Sequence, residues 1–224
     1  MTALLCLLFT IAIYLLAKKM YKQFPKVYLS PLLIVPAVIV VVLLLTGTSY
    51  ESYNEGGSLI TLLLQPATIA FAIPLYKHFD ALKKNWREIA IGVTSGSLTA
   101  IISTMVTARW FNLDTALETS LVPHSITTPI AMDISTMIDG IPQITAVFVV
   151  ITGLTGLLIG PNVVKWLKID GEIARGIAFG TSAHGTGTSK AFEYSPLTGT
   201  ISSISMVLAA LITLMVSPLF SVFL

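Results

Sequence analysis

Two histidines lie 60 residues apart, His124 in "LVPHSITTPIAMDIS" and His184 in "GTSAHGTGTSKAFEYS". Hydroxyl residues surround both: Thr127 and Thr128 beside the first, Thr181, Ser182, Thr186 and Thr188 beside the second. Lys190 and Glu193 follow three residues apart, on one face if the segment is helical. Imidazole, ammonium and hydroxyl groups together can hold a small carboxylate, and a histidine can exchange a proton near neutral pH. Helix breakers accompany them, Pro123 and Pro129 in one stretch and Gly185 and Gly187 in the other. Freed backbone amides and half-helix N-termini at such breaks favour an anion.

Each feature also has a plainer explanation. A histidine between membrane helices can stay neutral and bond a backbone carbonyl. Lys190 and Glu193 can form an interfacial ion pair. Any single threonine can bond back to its own helix or pack against another. Gln65-Pro66 is a further polar break that faces the same cavity or marks a proline kink, and Asp133 and Asp139 flank the first histidine stretch as proton carriers or solvated helix ends. Glu193, Asp133 and His184 are the candidates for carrying a coupling proton.

The surrounding chain is hydrophobic. Of 224 residues, 54% are hydrophobic and 11% charged, well below the quarter or so usual in soluble domains. The net charge of +2 gives no reason to expect nucleic-acid binding, and one cysteine, Cys6, excludes an internal disulfide. No zinc-protease pair, nucleophile elbow or phosphate loop occurs, so neither an enzyme nor a cofactor or metal site is expected.

Six uncharged runs are long enough to cross a bilayer: Met1–Ala17, Val27–Tyr50, Gly56–Tyr76, Ile89–Ala108, Gly140–Val164 and Tyr194–Leu224. The first lacks a preceding basic region and so reads as a span rather than a cleaved signal. Lys18, Lys19, Lys22 and Lys26 place the first loop inside, and Lys77, Lys83, Lys84 and Arg87 do the same for the third. Lys165, Lys168 and Arg175 stay inside only if 119–132 dips in and returns. Both termini are then outside. Trp86, Trp110 and Trp166 fall near the expected interfaces, and Ser95, Gly96 and Ser97 suit helix packing.

Shifted by 60 residues, the two odd segments align. His124 meets His184, Thr128 meets Thr188, Ser135 meets Ser195, and Thr145 meets Ser205. Each copy pairs an interrupted segment with one full span, so the copies enter from opposite sides. Paired interruptions in inverted copies point to a transporter's binding site. The expected fold is an all-α polytopic membrane protein, with six spanning helices and two re-entrant or broken segments in an inverted repeat. A four-helix portion covers 1–110. The repeat portion covers 115–224, with breaks within 119–139 and 176–195, and the whole forms one membrane domain.

The stretches "EIARGIAFGTSAHGTGTSKAFE" and "LVPHSITTPIAMDIS", with "LLQPATIAFAIPLYKH", resemble the LrgB/CidB family of bacterial membrane proteins over nearly the whole chain. The resemblance implies an antiholin-like protein linked to murein hydrolase activity and cell lysis. It also implies kinship with a plastidic glycolate/glycerate transporter and with bacterial relatives linked to pyruvate uptake. A smaller LrgA/CidA-type partner subunit is implied as well. Two functions follow as expectations: proton-coupled transport of a small organic anion such as pyruvate or glycolate, or holin-like control of lysis. Either is expected in the bacterial plasma membrane, as a homo-oligomer in lipid.

Overall fold

In a computed structural model the protein is described over residues 2–24, 26–63, 66, 69–70, 72–77 and 79–221. Every regular element among these residues is helical. The chain divides into two compact units, Met1–Ile69 and Ala70–Leu224.

The first unit holds α1 (Thr2–Gln23), α2 (Pro31–Thr46) and α3 (Tyr50–Thr61). Ala17, Val35 and Ile39 form its small core, ringed by Ile13, Ile34, Leu43 and Tyr53. Thr10 Oγ1 and the Tyr53 hydroxyl, 3.0 Å apart, tie α1 to α3. Most of α1 remains uncovered, with Leu4, Leu5, Leu8, Leu15 and Leu16 exposed; apolar side chains directed outward are what a lipid solvent permits. Pro31 opens α2 at a position where a missing N–H costs nothing, and Gly47, with φ 63°, closes it in the left-handed conformation that glycine adopts freely.

The second unit begins with two short helices, α4 (Ala72–Lys77) and α5 (Phe79–Lys84). Then come α6 (Trp86–Trp110), α7 (Thr115–Leu121), α8 (Thr128–Met137), α9 (Pro142–Trp166), α10 (Glu172–Tyr194) and α11 (Pro196–Ser221). The core joins Ile89, Val93 and Ile101 of α6 to Ile134 of α8, Val149 of α9 and Ile201 and Ile204 of α11. Helix α11 is the central one: 61% of its apolar window is buried, against 28% for α6 and 22% for α9. Trp86, Trp110 and Trp166 mark the ends of α6 and α9 and are exposed, as interfacial tryptophans are.

Among the described residues, four helices are long and apolar enough to cross a membrane: Leu4–Gln23, Trp86–Trp110, Pro142–Trp166 and Pro196–Leu219. The expected span at 27–50 contracts to the 16 residues of α2, about 24 Å of helix against a hydrocarbon core of about 30 Å. The expected span at 56–76 is divided. Helix α3 starts upstream of it, where Ser49 Oγ accepts from the Ser52 amide at 3.3 Å, and ends at Thr61 in a turn over Leu62 and Leu63. An uncharged run limits where a helix can cross but not where a cap or a turn cuts it.

Candidate functional site

Both histidine stretches interrupt helices. Between α7 and α8 the chain turns through 122–127, and His124 sits in that turn. Within α10 the helical geometry fails at Ala183 (φ −137°, ψ 19°) and at His184 (φ 41°, ψ −130°). A positive φ at a residue with a β-carbon is costly and persists only where its surroundings hold it.

The break in α10 reverses the chain. In a straight helix Arg175 and Tyr194 would be about 28 Å apart; the Arg175 guanidinium lies 4.8 Å from the Tyr194 ring centre. Phe179 and Tyr194 rings are 5.6 Å apart, and the Ser195 hydroxyl bonds Glu172. Residues 172–182 and 185–194 are therefore the arms of a helical hairpin, with His184 at its tip. Helices α7 and α8 fold back in the same way. Thr145 Oγ1 of α9 lies 2.8 Å from Ser120 O and 2.7 Å from Ser135 Oγ, which brings both arms to one point.

Positions paired at offset 60 can be compared in their packing. Ser120 of the first hairpin rests on Thr145 of α9. Sixty residues on, Gly180 of the second rests on Ser205 of α11: a methyl group added at Gly180 would lie 2.8 Å from the Ser205 β-carbon. The hairpins enter from opposite ends of α6. The first follows the C-terminus of α6 directly, whereas Gly171, ahead of the second, shares a cavity with Arg87 at the N-terminus.

Among the described residues, three cavities adjoin the hairpins, lined by His124 of the first and by Thr181 and Ser182, just ahead of His184, of the second. One of about 460 Å³ brings His124 of the first tip together with Ser182 of the second, against Thr152, Thr155 and Gly156 of α9. One of about 1100 Å³ runs between α6 and α10, past Ser95, Thr99, Ser103, Thr181 and Ser182. A third of about 360 Å³ reaches the other end of α6 through Thr104, Thr107 and Phe111, and again includes His124. The two tips meet neighbouring residues of α9: His184 bonds Val149 O, and Phe148 lines the third cavity with His124.

Both rings are held by backbone carbonyls. Because a carbonyl only accepts, His184 donates from Nε2 to Val149 O at 3.0 Å, and His124 from Nδ1 to Leu121 O at 2.9 Å, with Thr104 Oγ1 at 3.3 Å. His184 reaches its carbonyl because residue 153 is glycine. A β-carbon there would lie 2.8 Å from His184 Cε1 and 2.8 Å from Thr186 Oγ1.

The other candidates scatter in role. Thr181 and Ser182 bond back to Ile177 O (2.8 Å) and Ala178 O (2.6 Å) while lining the large cavity. Thr188 Oγ1 pairs with Ser202 Oγ at 2.9 Å and belongs to the packing of α10 on α11. Thr127 is the residue before α8, buried, with no partner for its hydroxyl, and Thr128 opens that helix. Lys190 pairs with Glu193 at 2.5 Å and lines none of the three cavities; Asp133 and Asp139 are exposed on or beyond α8. Gln65 lies outside the described residues. Sequence reasoning missed the part of α6. Ser95, Gly96, Thr99 and Ser103 recur at helical spacing on one face, a signal that was present, and they line a cavity, while Ser97 turns into the core.

Among the described residues no cluster of three metal-binding side chains occurs. The fold and its site define a helical membrane protein with two opposed helical hairpins. Within that class the chain belongs to the LrgB-like family, whose pattern it matches over residues 10–223. It is 59% identical over 212 residues to YwbG of Bacillus subtilis (strain 168), covering 95% of this chain and 94% of that protein. It is 36% identical over 194 residues to the antiholin-like protein LrgB of Bacillus cereus (strain B4264), covering 87% and 84%. No solved structure matches it.

Proposed function

We propose that the protein is a secondary transporter of small carboxylates such as pyruvate or glycolate, coupled to protons, in the bacterial plasma membrane. One observation carries this reading: two hairpins enter from opposite ends, and their tips share a cavity of about 460 Å³, within the size range of small-molecule sites. Broken elements in inverted copies are how transporters place backbone dipoles at a central site. The proposed site centres on His124 of one tip and Ser182 of the other, which line the shared cavity with Thr152 and Thr155, while Thr127, Thr128, His184 and Thr186 lie in the adjoining turns and line none of the three cavities. In this reading the hairpins are re-entrant, the basic ends of α5, α6 and α9 face the cytoplasm, and a smaller LrgA/CidA-type subunit or a second copy assembles with the chain.

Uptake of labelled pyruvate, glycolate and acetate into proteoliposomes, with and without an imposed pH gradient, tests the proposal. Saturable, gradient-stimulated uptake of at least one acid is expected. No uptake of any of them by monodisperse protein refutes it.

A second reading has a specific support: the Bacillus cereus relatives are named antiholin-like proteins. A lysis-controlling protein that acts as a pore would release a trapped fluorescent dye from the same vesicles. A transporter would not. Pore formation does not call for paired hairpins around an interior cavity, and for that reason transport is the preferred reading.

A further inference from the structure

His124 lines two cavities that share no other residue. One continues along α9 past Ile159 and Val163 towards Ile169. The other continues along α6 past Thr107 to Phe111 and Leu113. These are opposite ends of the bundle. Gly171, just beyond Ile169, shares a cavity with Arg87, and α6 carries the chain about 36 Å from residue 87 to residue 111. The imidazole thus stands at the partition between a cavity directed to one side and a cavity directed to the other.

Its chemistry suits that place. Nδ1–H is committed to Leu121 O, so in the neutral ring Nε2 has its lone pair available. Among the described residues, no other titratable side chain lines either cavity. On neighbouring elements stand His184 on α10, the Glu118–Arg109 pair of α7 and α6 (3.2 Å) and Asp133, exposed on α8; Arg87 and Glu88 of α6, Lys165 of α9 and Glu172, Arg175, Lys190, Glu193 and Tyr194 of α10 line neither cavity. The ion pair is already compensated. His184 has its Nε2–H tied to Val149 O.

We infer that His124 is the gate of the transport route and carries the coupling proton, one proton for each monocarboxylate. This rests on the transport reading above. A proton from water in one cavity binds Nε2, and the carboxylate accepts a hydrogen bond from the new Nε2–H. When the partition opens to the other side, the carboxylate leaves and Nε2 returns its proton to water there. One proton and one negative charge cross together, so no net charge moves. A dicarboxylate would bring a second charge into walls of hydroxyl and apolar side chains, where burying an uncompensated ion is costly. The substrate class is therefore the small monocarboxylate.

The test uses the full chain in proteoliposomes with labelled glycolate as probe and labelled succinate for comparison. For the wild type, an inward-directed gradient of one pH unit should support up to about tenfold accumulation of glycolate, and none of succinate. An imposed potential of about 100 mV should leave accumulation unchanged, whereas movement of a bare anion would alter it on the order of 50-fold. His124→Asn keeps an amide that can donate to Leu121 O but cannot titrate. It should lose gradient-driven accumulation while glycolate exchange stays measurable and independent of pH. Accumulation by His124→Asn equal to wild type overturns the inference and leaves transport standing. So does loss of both exchange and accumulation in monodisperse His124→Asn and His124→Gln, which would make His124 a structural plug. Potential-dependent accumulation in the wild type overturns the one-to-one coupling. Absence of wild-type uptake overturns the transport reading itself.

Discussion

Two glycines in the second arm of α10 should respond to the same substitution with opposite signs. A β-carbon at Gly187 would overlap the Phe179 carbonyl oxygen and lie 2.8 Å from the Ala183 β-carbon. The first obstacle is backbone and cannot rotate away, so Gly187→Ala must push the arms of the hairpin apart. Overpacking of this kind costs about 1–3 kcal/mol. At Gly185 the nearest atom to an added β-carbon is Met206 Sδ at 4.0 Å, and φ is not positive. Gly185→Ala should stabilise by about 0.4–1 kcal/mol, because alanine restricts the unfolded chain without straining the folded one. Thermal unfolding of the purified protein in detergent reads both, and the midpoints should move in opposite directions. In a straight α10, residues 179 and 187 would be about 12 Å apart and Gly187 would meet nothing there. Stabilisation of both variants would therefore refute the fold-back at His184 and, with it, the shared cavity.

Cysteines placed at Glu172 and Ser195, with Cys6 replaced by serine, should form a disulfide under mild oxidation, since those two side chains bond each other across the hairpin's open end; a straight helix would hold them about 34 Å apart. Thr145→Val keeps the shape but removes the hydroxyl shared by Ser120 O and Ser135 Oγ, and should lower stability by about 1–3 kcal/mol in the same unfolding assay, whereas Thr145→Ser should recover most of it. Lys190→Met should weaken glycolate affinity by no more than about fivefold, because its ammonium is already paired with Glu193 outside the three cavities; a loss on the order of 100-fold in a binding titration would return Lys190 to the role of substrate counter-charge.

Much of the second unit is legible in the amino-acid order, and the reasons are local. Uncharged runs bounded by basic residues and tryptophan fix α6 and α9 within a few residues, and the uncharged run after Glu193, with Pro196 at its head, fixes the start of α11. Proline and glycine beside each histidine fix where the helices break. The direction taken after a break is not local. At the second tip the reversal falls on His184 rather than on neighbouring Gly185, where the packing of 172–182 against 185–194 and the bond from His184 to Val149 O hold the dihedral in place. For the same reason Ser95, Gly96 and Ser97 could not be sorted from composition. Neighbouring positions on a helix differ by about 100°, so Gly96 meets Thr181 beside a cavity while Ser97 is 1% exposed in the core. The spacing of Lys190 and Glu193 allows the ion pair that the structure shows. Lys190 is six positions from His184 but on an arm that turns it towards Glu193.

The two hairpins also show how positions paired at offset 60 can be held by different contacts. Where the first hairpin meets α9, a serine and a threonine are joined by a hydrogen bond, Ser120 O to Thr145 Oγ1 at 2.8 Å. At the equivalent point the second hairpin has glycine, and the backbone of Gly180 closes directly on Ser202 O and the Ser205 β-carbon. Polar adhesion and close backbone approach are interchangeable means of joining helices where burial from water is not the driving force. Such contacts can therefore diverge between copies without moving the hairpin. The tips are not interchangeable in this way. A group that must accept and release a proton, or reach a carbonyl through a gap left by Gly153, restricts the choice of side chain. At offset 60 the histidines of the two tips, His124 and His184, are identical, while the contact made at Ser120 differs from that made at Gly180.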